Sequence, residues 1–278
     1  MSYSTNQFTG QKDFKLLSHQ WTIPNPKAKL ILIHGFGEHA KRYEEEAVFF
    51  NQAGYTVHAY DHRGHGKSEG RMAYMERFEF LVKDLKTFID EEVEANEPYY
   101  IYGHSMGGLA VVSYIINYYK KDTNLKGVLL TGPLLMASKD TAPLLQKLSG
   151  VVGSLLPTVK TVKLDANKIS RNPDVVKAYN EDPLVFSEGI YARTAAEMLK
   201  STKNIQAQFS SFDLPVLIMH GEADGLTEPE GSQNFYAECA SEDKEIVIWP
   251  GGYHELTRDL AKDQVLSKMT EWMDARIE

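Results

Sequence analysis

The chain has 278 residues, 42% of them apolar and 24% charged, a balance that excludes a disordered polyelectrolyte and is sufficient for a large buried core. Thirty basic residues against 38 acidic ones give a formal charge of −8, with no Lys/Arg block, so nucleic acid is not expected as a partner. A single cysteine, Cys239, excludes an internal disulfide framework and a cysteine-based zinc site.

In chain order, the first strand signal is the apolar run over 28–34, followed by a helical pattern over 42–52. Strand 55–60 precedes a helix over 76–94, and strand 98–102 precedes a helix over 105–119. A strand over 125–131 closes this first series. Strand 214–220, helix 231–239, strand 245–249 and helix 260–275 follow near the C-terminus. Most of these strands are apolar on both faces. Such strands belong in a parallel sheet covered by helices on both sides. The alternation therefore predicts an α/β fold.

The alternation lapses between 131 and 214. Residues 142–156 are rich in Leu and Val, Pro157, Pro173 and Pro183 punctuate the stretch, and 188–200 again reads as helix. A structureless loop of that length is improbable. The expectation is one domain with core segments 1–136 and 211–278 and a helical cap, or lid, over 137–210. Leu144, Leu145, Leu148, Val151, Val152, Leu155 and Leu156 recur at helical spacing and could line a ligand tunnel, touch a membrane surface or pack on the sheet. Membrane contact through the cap would be interfacial and transient. The longest apolar runs, such as Leu30-Ile31-Leu32-Ile33, fall far short of the ~20 residues of a membrane-crossing helix. Residues 1–15 are polar and lack a signal-peptide core, so the expected location is cytoplasmic, peripheral to lipid at most.

The sharpest motif is Gly103-His104-Ser105-Met106-Gly107, a G-x-S-x-G set between a strand and a helix. A serine at so tight a turn needs glycines two positions away on either side, and the turn presents its hydroxyl beside helix N–H groups. Hydroxyl nucleophiles need a base, and in elbow-type hydrolases the order is Ser, acid, His. Two histidines follow Ser105. His220 ends a strand and reads as a satisfied buried residue. His254, in a loop between the last strand and helix, is the better base. Asp224, four residues past His220, is the candidate acid. It also reads as a helix N-cap or Asx-turn carboxylate, and Glu222 lies too near the strand end to compete. The amides of Phe36, in His34-Gly35-Phe36-Gly37, and Met106 are the candidate oxyanion donors, with His34 a loop anchor. His58, His62 and His65 lack a carboxylate cluster, so no metal is expected. No G-x-G-x-x-G or Walker-type loop supports a nucleotide cofactor.

These residues carry a family resemblance across nearly the whole chain. His34-Gly35-Phe36-Gly37-Glu38-His39 with Arg42-Tyr43, Asp61 to Ser68 with Gly70, Gly103 to Gly108, Tyr179-Asn180-Glu181-Asp182-Pro183-Leu184, Gly221 to Asp224, and Tyr253-His254 resemble the monoacylglycerol lipase type of α/β-hydrolase. That group also holds lysophospholipases and serine aminopeptidases. The resemblance implies a mostly parallel sheet with a cap and a cofactor-free hydrolase of single-chain lipid esters. It implies Ser105 as nucleophile, Asp224 as acid and His254 as base. It also implies oxyanion amides at Phe36 and Met106, and a polar glycerol end at Glu38, Arg42 and Tyr179. Glu38 and Arg42, at i and i+4, could equally form a surface ion pair. Two positions depart from the pattern. Thr257 stands where mammalian members carry a histidine, and Phe36 stands where they carry a small residue. The competing readings are a lysophospholipase, short-chain carboxylesterase or aminopeptidase, and a binding module of the same fold without chemistry.

Overall fold

A computed structural model describes residues 1–120, 123–138 and 153–277. Its centre is an eight-stranded sheet, in spatial order β1, β2, β4, β3, β5, β6, β7, β8. The strands are β1 (Ser2–Thr9), β2 (Lys15–Thr22), β3 (Ala28–Ile33), β4 (Tyr55–Tyr60), β5 (Tyr99–His104), β6 (Leu125–Thr131), β7 (Val216–Gly221) and β8 (Lys244–Trp249). From β4 to β8 every pairing is parallel, whereas β1 and β2 join the sheet antiparallel.

The two-sided burial expected of the apolar strands is seen in β3, where all six residues are buried. Its side chains alternate between two cores. Ile31 and Ile33 face the cluster made with α2 (Phe78–Glu92) and α3 (Met106–Tyr118), and Leu30 and Leu32 face the one made with α1 (Glu44–Gln52) and α7 (Lys262–Asp274). In α2 the buried Phe78, Leu81, Val82, Leu85, Phe88 and Ile89 recur three and four apart, as a single packed stripe requires. Helix α6 (Pro229–Glu238) adds Phe235 to the first cluster.

The N-terminal hairpin β1–β2 is absent from the sequence expectation. Seven of the eight β1 residues are exposed, so no apolar alternation marks the strand. Between β6 and β7 the described residues include α4 (Pro173–Glu181) and α5 (Ala192–Gln206). α4 was not expected, although Asn172 caps it by accepting the Asp174 amide and Pro173 opens it. α5 starts later and ends later than the pattern over 188–200. Most of the predicted helix over 142–156, with Leu144, Leu145, Leu148, Val151 and Val152, lies outside the described residues. Leu155 and Leu156 are 73% and 56% exposed.

In a parallel sheet the carboxyl ends of the strands share one edge, and ligands bind beyond it. The loops after β3, β5, β6, β7 and β8 therefore meet there. They carry Phe36, Ser105, Gly132, Asp224 and His254 respectively.

Candidate active site

Ser105 sits between β5 and α3 with φ 53° and ψ −119°, a conformation that non-glycine residues rarely adopt. Neighbouring chain enforces it. A Cβ at Gly107 would stand 2.2 Å from the Ile33 carbonyl oxygen, and one at Gly103 would stand 2.8 Å from the Gly108 Cα. The Ser105 amide donates to the Thr131 carbonyl at 3.1 Å, and the Ser105 carbonyl accepts from Leu134 at 2.9 Å. The turn is therefore pinned on both sides. The amide of Met106 opens α3, among the N–H groups that a helix leaves without an internal partner.

Ser105 and His254 line one cavity, with Phe36, Glu38, His104, Tyr179 and Glu255 also in its wall. The rest of the wall is mainly apolar and includes Leu134, Val162, Leu164, Ile190, Met198 and Leu199. His254 turns Nδ1 toward Asp224 Oδ2 at 2.6 Å, an arrangement that leaves Nε2 free to act as a base. Asp224 does not cap α6, whose N-cap residue is Glu228, and its two oxygens have different partners. Oδ2 meets His254, while Oδ1 accepts from the amides of Leu226 at 2.8 Å and Thr227 at 3.0 Å, as a loop-capping carboxylate does. Burial opposes the Asp224 charge, but the charge of His254 and hydrogen bonds from His220 and His254 overcome it and hold the carboxyl far below its usual range. Burial likewise opposes the His254 cation. Asp224, Glu255 and Glu38 outweigh it and raise the His254 pKa above 6.5.

Glu38 and Arg42 do not form a surface pair. Glu38 accepts from the Gly35 amide at 2.7 Å, from the Tyr43 hydroxyl at 2.7 Å and from Arg42 at 2.5 Å. Arg42 also grips Glu255 with two bonds, at 2.9 and 3.0 Å, and stacks 4.8 Å from the Tyr179 ring. Glu38, Tyr179 and Glu255 reach the cavity, and Arg42 lies one layer behind them, against a separate groove. Thr257 donates to Glu46 at 3.0 Å in this same buried network. Phe36 stands edge-on to His65, with ring centres 5.6 Å apart.

The remaining histidines have local partners. His34 Nε2 accepts from the His62 amide at 2.9 Å, which ties the β3 loop to the segment after β4. His58 pairs with Glu92 at 2.6 Å, and His65 bonds the Arg63 carbonyl at 3.0 Å. Among the described residues no His, Cys, Asp or Glu group has a metal-holding arrangement.

Four contributors escaped sequence reasoning. Gly132, at φ 48°, leaves room for the acid–base pair, since a Cβ there would stand 3.1 Å from His254 Nδ1 and 3.2 Å from Asp224 Oδ2. Thr227 places its hydroxyl 2.9 Å from Asp224 Oδ2. Glu255 closes the Arg42 network, and the His104 ring packs 4.7 Å from that of His254. The signals were present, with Gly132 at a strand end and His104 and Glu255 beside motif residues. No local pattern says where such side chains point.

A family model described as serine aminopeptidase, S33, matches residues 24–261. A monoacylglycerol lipase of Mycolicibacterium smegmatis is 32% identical over 97% of this chain and 96% of its own. A monoglyceride lipase of Rattus norvegicus is 31% identical over 91% of this chain and 84% of its own. Among solved structures, a monoacylglycerol lipase of Paleococcus ferrophilus superposes with a TM-score of 0.84 at 32% identity, covering 94% of this chain and 99% of that one.

Proposed function

The chain belongs to the serine aminopeptidase S33 family of α/β-hydrolases, alongside its monoacylglycerol lipases, and from that premise we propose that it hydrolyses the ester bond of monoacylglycerols. The observation that carries this reading is the mainly apolar cavity with a strained serine and His254 in its wall, the imidazole bonded in turn to buried Asp224. Ser105 attacks the acyl carbonyl as His254 Nε2 takes its proton. The oxyanion rests between the amides of Phe36 and Met106, where one donor is worth about 10²–10³ in rate. His254 then protonates the leaving glycerol oxygen, and water, deprotonated by the same imidazole, releases the fatty acid.

Residues 137–210 serve as the cap in this reading. Val162, Leu164, Met198 and Leu199 wall the acyl site from that segment. Tyr179 meets the glycerol end directly. Glu38 shapes that end, and Arg42 acts from behind by holding Tyr179 and Glu255 in place. Exposed Leu155, Leu156 and Val159 suit a transient contact with a lipid surface. No helix among the described residues is long and apolar enough to cross a membrane, and a cytoplasmic location is part of the proposal. An aminopeptidase needs a carboxylate to hold the substrate's free amino group. Glu38 and Glu255, the cavity's two glutamates, are already engaged by guanidinium groups, which favours the ester reading.

The test is a profile of purified enzyme across octanoyl- to stearoyl-glycerols, lysophospholipids and aminoacyl amides. Fatty acid release that is fastest from monoacylglycerols is the expected result, and preferred turnover of either other class overturns the substrate assignment. The pH profile gives a second expectation. His254 acts only when neutral, and its pKa is raised above 6.5. As pH falls through that raised value, kcat/KM is expected to drop along a one-proton limb whose midpoint lies above 6.5. His104, pushed down to about 4 by burial and by the neighbouring His254, adds no limb there. A midpoint near 4 to 5 would assign the limb to another group.

A further inference from the structure

His220 lies fully buried against the same Asp224 oxygen that meets His254. Its Nε2 faces three oxygens, namely Asp224 Oδ2 at 3.1 Å, Thr227 Oγ1 at 3.2 Å and the Thr227 carbonyl at 3.4 Å. A carboxylate and a carbonyl can only accept, so Nε2 carries a hydrogen. Nδ1 lies 2.8 Å from the Ser232 hydroxyl on α6, which can donate to it and fix that tautomer. The oxygen that orients His254 thus receives a second imidazole.

We infer that His220 is a positioning residue for the proposed triad, holding the Asp224 carboxylate in register and drawing off part of the charge that would otherwise strengthen the basicity of His254. The inference rests on the hydrolase reading of the site. A carboxylate oxygen that accepts several hydrogen bonds offers less charge to each donor. With one donor removed, Asp224 holds the His254 imidazolium more strongly, and Oδ2 loses one of the groups that fix its position, with the Thr227 hydroxyl left at 2.9 Å. The charged and titratable groups facing this assembly also include His104 from β5, Glu38 from the β3 loop and Glu255 beside His254. Lys168 lies over Gly225 in the acid loop. None of these bonds Asp224 Oδ2 in the described contacts, whereas His220 does.

The experiment compares wild type with His220→Leu, His220→Gln and Ser232→Ala, using a soluble chromogenic ester and a monoacylglycerol. Active sites are counted by fluorophosphonate labelling and folding is checked by circular dichroism. In His220→Leu, kcat per labelled site should fall about 10- to 100-fold, the worth of a hydrogen bond to a charged group, while KM changes little. The acid limb of kcat/KM should move to higher pH. His220→Gln keeps an N–H on the same side and should recover most of both effects. Ser232→Ala should move the limb the same way by less, and it supplies the answer if His220→Leu does not fold. An acid limb left in place or moved to lower pH in the folded variants overturns the inference, while wild-type turnover leaves the hydrolase reading standing. Wild type that neither labels nor turns over ester overturns both.

Discussion

Ser105→Ala is expected to lower kcat/KM by about 10⁶ and to abolish fluorophosphonate labelling, without change in fold or thermal midpoint. The magnitude follows from how a triad works. Nucleophile and base act as a unit, so removing the hydroxyl leaves His254 with no proton to take. What remains is binding plus the oxyanion amides, about 10³–10⁴ over uncatalysed hydrolysis. The amides are in the backbone and survive the substitution. Stability should be indifferent because alanine retains the Cβ that makes φ 53° unfavourable, and the turn is pinned by the Thr131 and Leu134 bonds rather than by the serine side chain. Glycine at 105 provides the contrast. It relieves a strain on the order of 1–3 kcal/mol and should raise the denaturation midpoint while being equally inactive. An alanine variant that keeps more than about 1% of wild-type activity would remove Ser105 from the chemistry, since that residue is far above what binding and amides supply.

The sequence carried most of this reasoning because the chemistry of an elbow is local. Gly103, Ser105 and Gly107 are spaced by the requirements of one turn, and the closeness of Gly107 to Ile33 shows why glycine stands there. The sheet was legible wherever strands are buried on both faces, as in β3 and β7. β1 was not, because an exposed edge strand has no core to leave its mark on the residue pattern. α4 carries its start signal in Asn172 and Pro173, but a proline marks a loop as readily as a first helical turn, so the pair alone does not decide between them. The charge network was the least legible part. Glu38 and Arg42 are four apart, which fits a surface pair, and nothing local ties them to Glu255 and Arg258 more than two hundred residues away. Only the sheet, by bringing the loops after β3 and β8 to one edge, turns a local pair into a buried cluster.

That cluster sets the largest expected effect on stability. Arg258 donates through Nε to Glu46 at 2.9 Å, approaches Glu255 at 3.3 Å and Glu38 at 3.6 Å, and lies 4.0 Å from the centre of the Tyr43 ring. With Arg42 it makes two guanidiniums against three buried carboxylates. Arg258→Leu leaves Glu46 without a cation and is expected to cost about 3–5 kcal/mol near neutral pH, read by urea denaturation. The pH dependence distinguishes charge from packing. Burial pushes the Glu46 carboxyl up from 4.5, and Arg258 is what pulls it back. Without Arg258 its folded pKa rises further above the unfolded value. A carboxyl shifted that way destabilises the fold at neutral pH and ceases to do so once it is protonated in both states. Wild type behaves oppositely, because Glu38 and Glu255 are held below 4.5 and their contribution is lost as pH falls. The stability gap between wild type and variant should therefore narrow as pH falls toward 4.5 and below. A gap independent of pH would mean that the loss is one of packing over Tyr43. Glu46→Gln combined with Arg258→Leu should cost less than Arg258→Leu alone, since a pair removed together leaves no buried charge behind. Activity follows through geometry. Glu38 and Glu255 form the polar wall of the cavity, and a cluster that takes up protons or rotates to find new partners no longer presents that wall to an alcohol.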